Sequence, residues 1–390
     1  MKIRIVFILS ILTALVLSGL YIHHRYQMGR RNIVTHLAEE NSMINILLAG
    51  SNEYDENRHR LFIVVSINPE NRKIGLTFIP PAFAVDLNED GVAEKIGDVN
   101  PSSMSDLNAA IERELDMKIP FFAVLYSPDL SRMVDLVYGI DLFMFEPEKT
   151  TQGMTFGRNY LDGNHIVEYI NIAENGSIYS KYDRIMDVVF TLHARRDQYK
   201  QFATRPLVDL ALETINTNMN SREVLSLASY FFDGTSILWT LLPGKLDVSG
   251  LYVRDEIAQT VYRESFLKRL VIEETGELSL KAKLQNATDI PGLARRYRSM
   301  LMREGVNVVE FGTFEDMILN ETLIIDRKGN AQAAAYLSEL IGTDRVYQVI
   351  DSTQLHDVLI ILGQDAAQPN QRDTVQTRQQ DADTADQDDD

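Results

Sequence analysis

Hydrophobic patterns typical of strands and of helices alternate along the first two thirds of the chain. Apolar runs bounded by turn residues predict strands at 44–49, 61–67 and 74–79, with an Asn-Pro-Glu-Asn turn between the last two. Apolar residues at helical spacing, such as Leu107 and Ile111, predict a helix at 106–115. This alternation predicts a layered α/β domain with a central sheet. The same patterns predict strands at 121–126 and 140–145, and helices at 129–137, 163–169, 182–192, 207–217 and 221–230.

A second alternation of strands and helices lies between residues 268 and 365. It is shorter than the first and reads strand, helix, strand, helix, strand. It therefore predicts a smaller α/β domain at the C-terminal end of the folded chain. The predicted strands are 278–284, 306–310 and 358–362, and the predicted helices are 290–304 and 330–341.

Residues suited to helix termini support two of these helices. Asp289 is predicted to cap the helix at 290–304, and Pro291 lies early, where its missing N–H is harmless. Asn220 or Ser221 can cap the helix at 221–230, and Glu223 in its first turn complements the helix dipole.

The N-terminal end of the chain has the pattern of a membrane segment. Residues 5–22 carry no charge and follow Lys2 and Arg4, and their number is about what one helix needs to cross a bilayer. We therefore predict a membrane anchor within residues 1–31. The alternative is a signal peptide cleaved near Ser18. Both interpretations place the rest of the chain outside the cytoplasm.

Length and charge bound what the exported part can be. About 360 residues follow the predicted anchor, which is more than one hydrophobic core usually holds and favours two domains, at 42–267 and 268–365. The formal net charge of -18 argues against nucleic acid as a partner, because such binding needs a basic surface. Residues 366–390 contain seven Asp and two Arg without aromatic residues, and they predict a disordered acidic tail. The chain has no Cys, which excludes disulfides and cysteine nucleophiles.

The sequence lacks the common catalytic motifs. The chain contains no GxSxG, GxxxxGK[ST], HExxH or GxGxxG sequence, and its seven His have no metal-ligand spacing. The single Trp, Trp239, lies in an apolar run and is predicted to be a core anchor rather than a platform for sugars.

Several segments, in the same order, resemble the LytR-CpsA-Psr family of membrane-anchored enzymes, which bind a polyprenyl-phosphate lipid and transfer its glycopolymer to the cell wall. The segments ILLAGS, VVSINPENRKIGLTFIP, KIG and MVDLVYGIDL resemble the first strands and following motifs of that family. LDGNHIVEYI is similar to a later family segment. In the second alternation, KLQNATDIPGLA resembles the opening of the LytR C-terminal domain, which has no established catalytic set.

This resemblance implies a site in which most of the chemical groups have been replaced. Active members hold Mg²⁺ with carboxylates and grip phosphates with arginines. Asn52 and Arg60 stand where the resemblance implies the two metal carboxylates, so no metal site is expected. Arg58 and Arg184 match retained arginines and Lys95 matches the family lysine, which makes these three the candidates for binding an anion or phosphate. The replaced arginine and aspartate positions are Pro81, Ala82, Asn171, Ala173 and Asp187.

The resemblance implies a protein of cell-envelope assembly that is anchored in the membrane with its bulk on the extracytoplasmic side. We expect it to bind a polyprenyl-phosphate glycopolymer or a wall-assembly partner, the latter through the C-terminal domain, as a pseudoenzyme without cofactor. The alternative is an active phosphotransferase, which would need Mg²⁺. A lipid tunnel lined by faces that contain Val64, Ile74, Leu125 and Val137 is expected, with its mouth beside Arg58 and Arg184.

Overall fold

The computed structural model describes residues 32–52, 59–99, 103–145, 153–172, 178–234, 236–272, 280–315 and 317–367. The predicted membrane anchor, at 1–31, lies outside these ranges. So do residues 368–390 of the predicted acidic tail, while Ala366 and Ala367 belong to the 3-10 turn Gln364–Ala367. Within the described ranges, no helix combines the length and the apolar character that a membrane crossing requires.

The first part of the chain alternates strands and helices, as its hydrophobic pattern predicts. Almost every predicted element is present; β2 and β6 have the predicted bounds, and the bounds of the others differ by a few residues. The elements are α1 Ile33–Glu39, β1 Ile44–Ser51, β2 Leu61–Ile67, β3 Lys73–Ile79, β4 Ala84–Val85, β5 Glu94–Lys95, α2 Met104–Leu115, β6 Phe121–Tyr126, α3 Ser127–Leu136, β7 Ile140–Met144, β8 Gly157–Leu161, α4 Gly163–Asn171, α5 Ile178–Ala194, α6 Arg196–Tyr199, α7 Arg205–Leu212, β9 Asn216–Thr217, α8 Ser221–Asp233, β10 Ser236–Leu241, β11 Lys245–Leu246, β12 Tyr252–Val253, α9 Glu256–Val261, a π-helical segment Tyr262–Leu267 and α10 Lys268–Val271.

Six of these strands form one mixed sheet in the order β10-β3-β2-β1-β6-β9. β1, β2 and β3 are antiparallel neighbours, whereas β6 and β10 run parallel to β1 and β3. Successive side chains of a strand point to opposite faces of the sheet. Apolar clusters cover both faces. On β1, Ile44 and Ile46 belong to one apolar cluster, and Leu47 and Ala49 belong to the other. The sheet therefore lies between two separate cores.

This two-sided packing contradicts the predicted tunnel lining. Val64 lies in the cluster that contains Leu47, whereas Ile74 lies in the cluster that contains Ile44, on the opposite face of the sheet. The two residues are on adjacent strands, but their side chains point to opposite faces. Val64 pairs with Thr77, and Ile74 lies three residues before Thr77 and pairs with Ile67. Val64 and Ile74 cannot line one common tunnel.

The helix that follows β9 confirms one capping prediction. Asn220 accepts backbone N–H groups of Arg222 and Glu223 at 3.0 and 3.2 Å, and Glu223 accepts the Asn220 N–H at 2.9 Å. This is a capping box. The preceding prediction of one helix over 207–217 is wrong at its end. The helix stops at Leu212, and Asn216 and Thr217 pair with β6 as an edge strand.

The second sheet has five strands in the order β14-β13-β17-β15-β16. Most of its pairs are parallel, and only β15 runs antiparallel to β17. Its core is formed by apolar residues such as Leu284, Ile324, Leu337 and Ile360, each fully buried. The elements are β13 Lys281–Asn286, α11 Leu293–Arg303, β14 Asn307–Thr313, β15 Leu323–Asp326, α12 Ala331–Ile341, β16 Val346–Gln348 and β17 Val358–Leu362.

Two details of this second sheet differ from the sequence prediction. Strands β15 and β16 were not predicted, because four and three residues are too few to show a period. Asp289 does not cap α11. Pro291 and Gly292 form a turn before the helix, Gly292 takes the left-handed conformation at φ +76°, and Asp289 instead accepts a hydrogen bond from Gln364 at 3.0 Å.

Candidate functional site

The end of the first sheet carries the residues that stand at the implied metal positions. The Arg60 N–H donates to the Gly50 carbonyl at 2.7 Å, so Arg60 lies directly beside the end of β1, where Ser51 and Asn52 follow. The Arg60 guanidinium pairs with Asp98 at 3.9 Å, and both side chains are about half exposed. The Arg60 backbone therefore lies beside the end of β1, and its guanidinium is paired with an acid.

Lys95 belongs to the same region. It lies on the short strand β5, which pairs with β4. The turn after β5 is anchored to the first sheet, because the Gly97 N–H donates to the Pro81 carbonyl at 2.8 Å. Pro81 follows the end of β3, and β3 is the neighbour of β2 in the sheet. Arg58, the third candidate, lies outside the described residues. The structure thus brings Arg60 and Lys95 to the same end of the strands of the first sheet.

Arg184 is placed differently. It lies on α5 and is only 6% exposed. Its Nη1 donates to the carbonyl of Ile172 and, at 3.5 Å, to that of Tyr169, and its guanidinium also lies 5.6 Å from the Tyr169 ring centroid. These carbonyls belong to the C-terminal end of α4, where a cation complements the helix dipole. One function of Arg184 is therefore to hold α4 against α5.

Between the two sheets lies a cleft of about 1150 Å³. One wall is formed by α5 and the end of β10, the other by β13, the residues after β15 and the loop 349–354. Its lining mixes aromatic rings with charged groups. Such a mixture of apolar surface and a few polar groups is typical of a ligand site. Trp239, predicted as a core anchor, is half-buried here, and its Nε1 donates to the Lys328 carbonyl at 3.1 Å.

Two carboxyl groups of α5 bind the loop of the second sheet. Asp187 is 4% exposed and accepts the Tyr169 hydroxyl at 2.5 Å and the backbone N–H of Ile350. Asp183 accepts the backbone N–H and the hydroxyl of Ser352 at 3.2 and 3.1 Å. Burial raises the pKa of Asp187 to about 7 and that of Asp183 to about 6. Both acids consequently titrate near neutral pH.

The opposite wall is supplied by residues around Arg327. Arg327 directly follows β15, is 8% exposed, and pairs with Asp351 at 2.9 Å. Its guanidinium lies 5.7 Å from the Phe145 ring centroid. His356 is also buried, and burial lowers its pKa to about 4, so its imidazole is neutral at physiological pH.

The described residues contain no group of three or more His, Asp or Glu side chains that could hold a metal ion. Asn52 could donate one oxygen ligand beside Arg60. The cleft could hold a ligand through Arg184, Lys283 and Arg327, with aromatic surface beside them.

The cleft residues of the second sheet were missed by the sequence interpretation. A signal was present, since Asp326, Arg327 and Lys328 follow an entirely apolar run. Ligands of open α/β sheets bind outside the carboxyl ends of strands, where such residues lie. Asp326 fixes this segment, because its Oδ1 accepts the N–H groups of Lys328, Gly329 and Asn330 at 2.8–3.0 Å.

Comparison with family models accounts for both sheets. Residues 13–266 match the model of the LytR_cpsA_psr family, and residues 279–365 match that of the LytR cell envelope-related transcriptional attenuator. The chain belongs to the LytR-CpsA-Psr family. It is a cell-envelope protein of that family with a LytR C-terminal domain, as the sequence resemblance implied.

Solved structures of the LytR-CpsA-Psr type share the fold of the first sheet. A transcriptional regulator from Enterococcus faecalis is 18% identical over 61% of this chain and 91% of its own, with a TM-score of 0.50. TagT bound to LI-WTA is 16% identical over 60% of this chain and 93% of its own, also with a TM-score of 0.50. At this identity the likeness shows the fold alone. A comparison with curated protein sequences gives no match.

Proposed function

We propose that this LytR-CpsA-Psr protein binds a glycopolymer carried on polyprenyl phosphate, or a partner in wall assembly, and that most of the catalytic set has been lost. The observation that carries the proposal is the position of Arg60. Its backbone is bonded to Gly50 at the end of β1, where the family resemblance implies a metal carboxylate, and its guanidinium pairs with Asp98.

Electrostatics supports this interpretation. A unit charge 4 Å from another of the same sign is repelled by about 4 kcal/mol at an effective dielectric constant of about 20, and a divalent ion doubles that value. Solvent and the paired Asp98 reduce the repulsion at Arg60, which is half exposed, yet two carboxylates would attract the ion instead. Asn52 and Arg60 together therefore make a poor Mg²⁺ site.

A phosphatase assay tests the loss of catalysis. The purified full-length chain is incubated with a polyprenyl pyrophosphate and Mg²⁺, and released phosphate is measured. We expect no release above that seen with chelator. The double variant Asn52→Asp with Arg60→Asp should gain Mg²⁺ affinity in calorimetry but little activity, because Asn171 and Asp187 still occupy arginine positions of the family. Rapid release by the unmodified chain, abolished by chelator, would favour the alternative of an active Mg²⁺-dependent phosphotransferase.

Lipid binding is tested by co-purification. The TagT structure holds LI-WTA, which favours a related ligand for this chain. We expect polyprenyl phosphate in lipid extracts of the purified protein, and less of it in the double variant Arg58→Gln with Lys95→Gln. The double variant Lys118→Gln with Arg132→Gln removes the same charge from exposed surface and serves as the control. Equal lipid in both variants, or none in the unmodified protein, would contradict lipid binding by these cations.

The location follows from the same proposal. We propose one membrane helix within residues 1–31, with the rest of the chain on the extracytoplasmic side. A reporter enzyme fused after Arg31 that works only outside the cytoplasm should be active. Activity of a cytoplasmic reporter at the same position would contradict this orientation.

A further inference from the structure

One side of helix α11 is cationic and exposed to solvent. Its residues Arg295, Arg296 and Arg303 lie within about 100° of one another around the helix axis, because about 3.6 residues make one turn. All three are exposed, and so is Ser299, which lies among them. We call these four residues the basic face. The chain has a net charge of -18, so a surface of this sign differs from the protein as a whole.

The charges of the basic face are not compensated within the described part of the chain. None of its arginines forms an ion pair with a carboxylate there. Arg295 and Arg296 are the third and fourth residues of α11, where the positive end of the helix dipole disfavours cations. Asp289, the acid before the helix, accepts a hydrogen bond from Gln364 instead. These arginines therefore weaken the helix, and a negatively charged partner would relieve the repulsion.

The chain leaves the C-terminal domain beside this helix. The Ala366 carbonyl accepts a hydrogen bond from the Tyr297 hydroxyl of α11 at 3.2 Å, and Ala367 is the last residue that the structure describes. Residues 368–390, which follow directly, contain seven Asp and two Arg. A strongly acidic sequence is thus attached next to a basic surface.

The spacing of the charges fits the distance to be bridged. Six of the seven Asp lie within residues 381–390, which we call the acidic stretch, and fourteen positions separate Ala367 from Asp381. An unstructured chain of that length has an r.m.s. end-to-end distance of about 20 Å, and a helix of 11 residues such as α11 is about 16 Å long. A tether whose length matches the span gives a millimolar effective concentration. Several exposed ion pairs, each weak alone, can then act together.

We propose that the basic face of α11 binds the acidic stretch of the same chain. The contact covers a surface that would otherwise attract phosphate-bearing polymers or anionic lipid headgroups, and it opens when a stronger anion competes. The inference rests on the position and charges of α11 and on the sequence that follows Ala367, so it does not depend on the proposed function.

The absence of Cys makes this contact measurable, because two introduced thiols can be labelled selectively. Ser299→Cys places a spin label on the basic face, and Ala385→Cys places one within the acidic stretch. Pulsed electron paramagnetic resonance then gives the distribution of distances between the two labels in the full-length chain. We expect a short-distance population at low ionic strength. In about 1 M salt, where the Debye length is about 3 Å, this population should be lost.

Arg295→Gln with Arg296→Gln, added to the labelled chain, tests the basic face itself. Gln removes cations from the positive end of the helix dipole, so this variant should fold as the unmodified chain does. It should reduce the short-distance population about threefold to tenfold. Lys118→Gln with Arg132→Gln removes the same charge from exposed surface of the first domain and is the matched control. Equal distance distributions in the two variants would overturn the proposal.

A mixture of chains that carry one label each distinguishes the acidic stretch of the same chain from that of a second copy. We expect no short distances in this mixture, because the contact is intramolecular. Short distances in the mixture as frequent as in the doubly labelled chain would show that a second copy supplies the acidic stretch, and would overturn the proposal.

Titration with inorganic tripolyphosphate, followed by calorimetry, tests whether the contact shields the basic face. A full-length variant with the six Asp of the acidic stretch changed to Asn should bind the probe about threefold to tenfold more tightly than the unmodified chain. Adding Arg295→Gln with Arg296→Gln should abolish this gain, whereas adding Lys118→Gln with Arg132→Gln should not. A gain that persists without Arg295 and Arg296 would be an effect of net charge alone and would refute the shielding, as would no gain at all.

Discussion

Replacing the buried acid of the cleft, Asp187→Asn, should change how the stability of the protein depends on pH. Asp187 is 4% exposed, and its pKa is raised from 3.8 to about 7, chiefly by burial. Asn keeps a side-chain oxygen that can accept the Ile350 N–H, but it cannot ionise. The substitution therefore removes the titration while it preserves the main contact with the second sheet.

The sign of the effect follows from proton linkage. The folded state keeps the Asp187 proton up to pH 7, whereas the unfolded chain releases it near pH 4, so this group lowers the free energy of unfolding as the pH rises through that window. With the two pKa values above, the loss between pH 5 and pH 8 is about 2–3 kcal/mol. The Asp187→Asn protein should lack this loss.

Urea unfolding followed by Trp239 emission and by circular dichroism provides the measurement. The unmodified chain, Asp187→Asn and the control Asp116→Asn are unfolded at pH 5, 6, 7 and 8. Asp116 is 87% exposed in its side chain, so its variant should follow the unmodified chain. The stability difference between Asp187→Asn and the unmodified chain should grow in favour of Asn by about 2–3 kcal/mol from pH 5 to pH 8. Parallel profiles for all three proteins would refute the raised pKa.

Two further substitutions test the packing. Gly163→Ala should lower the free energy of unfolding by more than about 2 kcal/mol, because the new Cβ would lie 2.0 Å from the Ser131 carbonyl oxygen, whereas Gly312→Ala, with open space around it, should change it by about 0.5 kcal/mol or less in the same urea titration. Asn220→Ala should cost about 1 kcal/mol through loss of the capping box, and an unchanged unfolding midpoint would contradict that role.

Local patterns in the sequence predicted the elements well. The strands β1, β2 and β3 and the helix α2 were found because each buries one face or both along a few consecutive residues. The cap at Asn220 was found because a capping box involves only four residues. Predictions that depended on a short element or on a turn fared worse. Strand β16 has three residues, and the Pro291-Gly292 turn displaced the expected cap at Asp289.

The cleft could not be predicted in the same way, because the residues that form it are far apart in the sequence. Asp187 and Ile350 are separated by 163 positions, and Trp239 and Lys328 by 89. No periodicity links such pairs. The family resemblance identified Asp187 as a replaced arginine, but only the structure shows what the carboxyl group binds. The predicted tunnel lining was wrong for a related reason, since it grouped Val64 and Ile74 although their side chains point to opposite faces of the sheet.

The bonds from α5 to the loop 349–354 limit how freely this C-terminal domain could be exchanged. Asp183 and Asp187 accept hydrogen bonds from the backbone N–H groups of Ser352 and Ile350. A loop of another length or path would not present N–H groups at the same places. A chimera that joins the first domain to a LytR C-terminal domain from a relative would bury both acids without their donors. The two domains of this protein therefore form one interdependent unit, and a functional graft would have to carry α5 and the loop together.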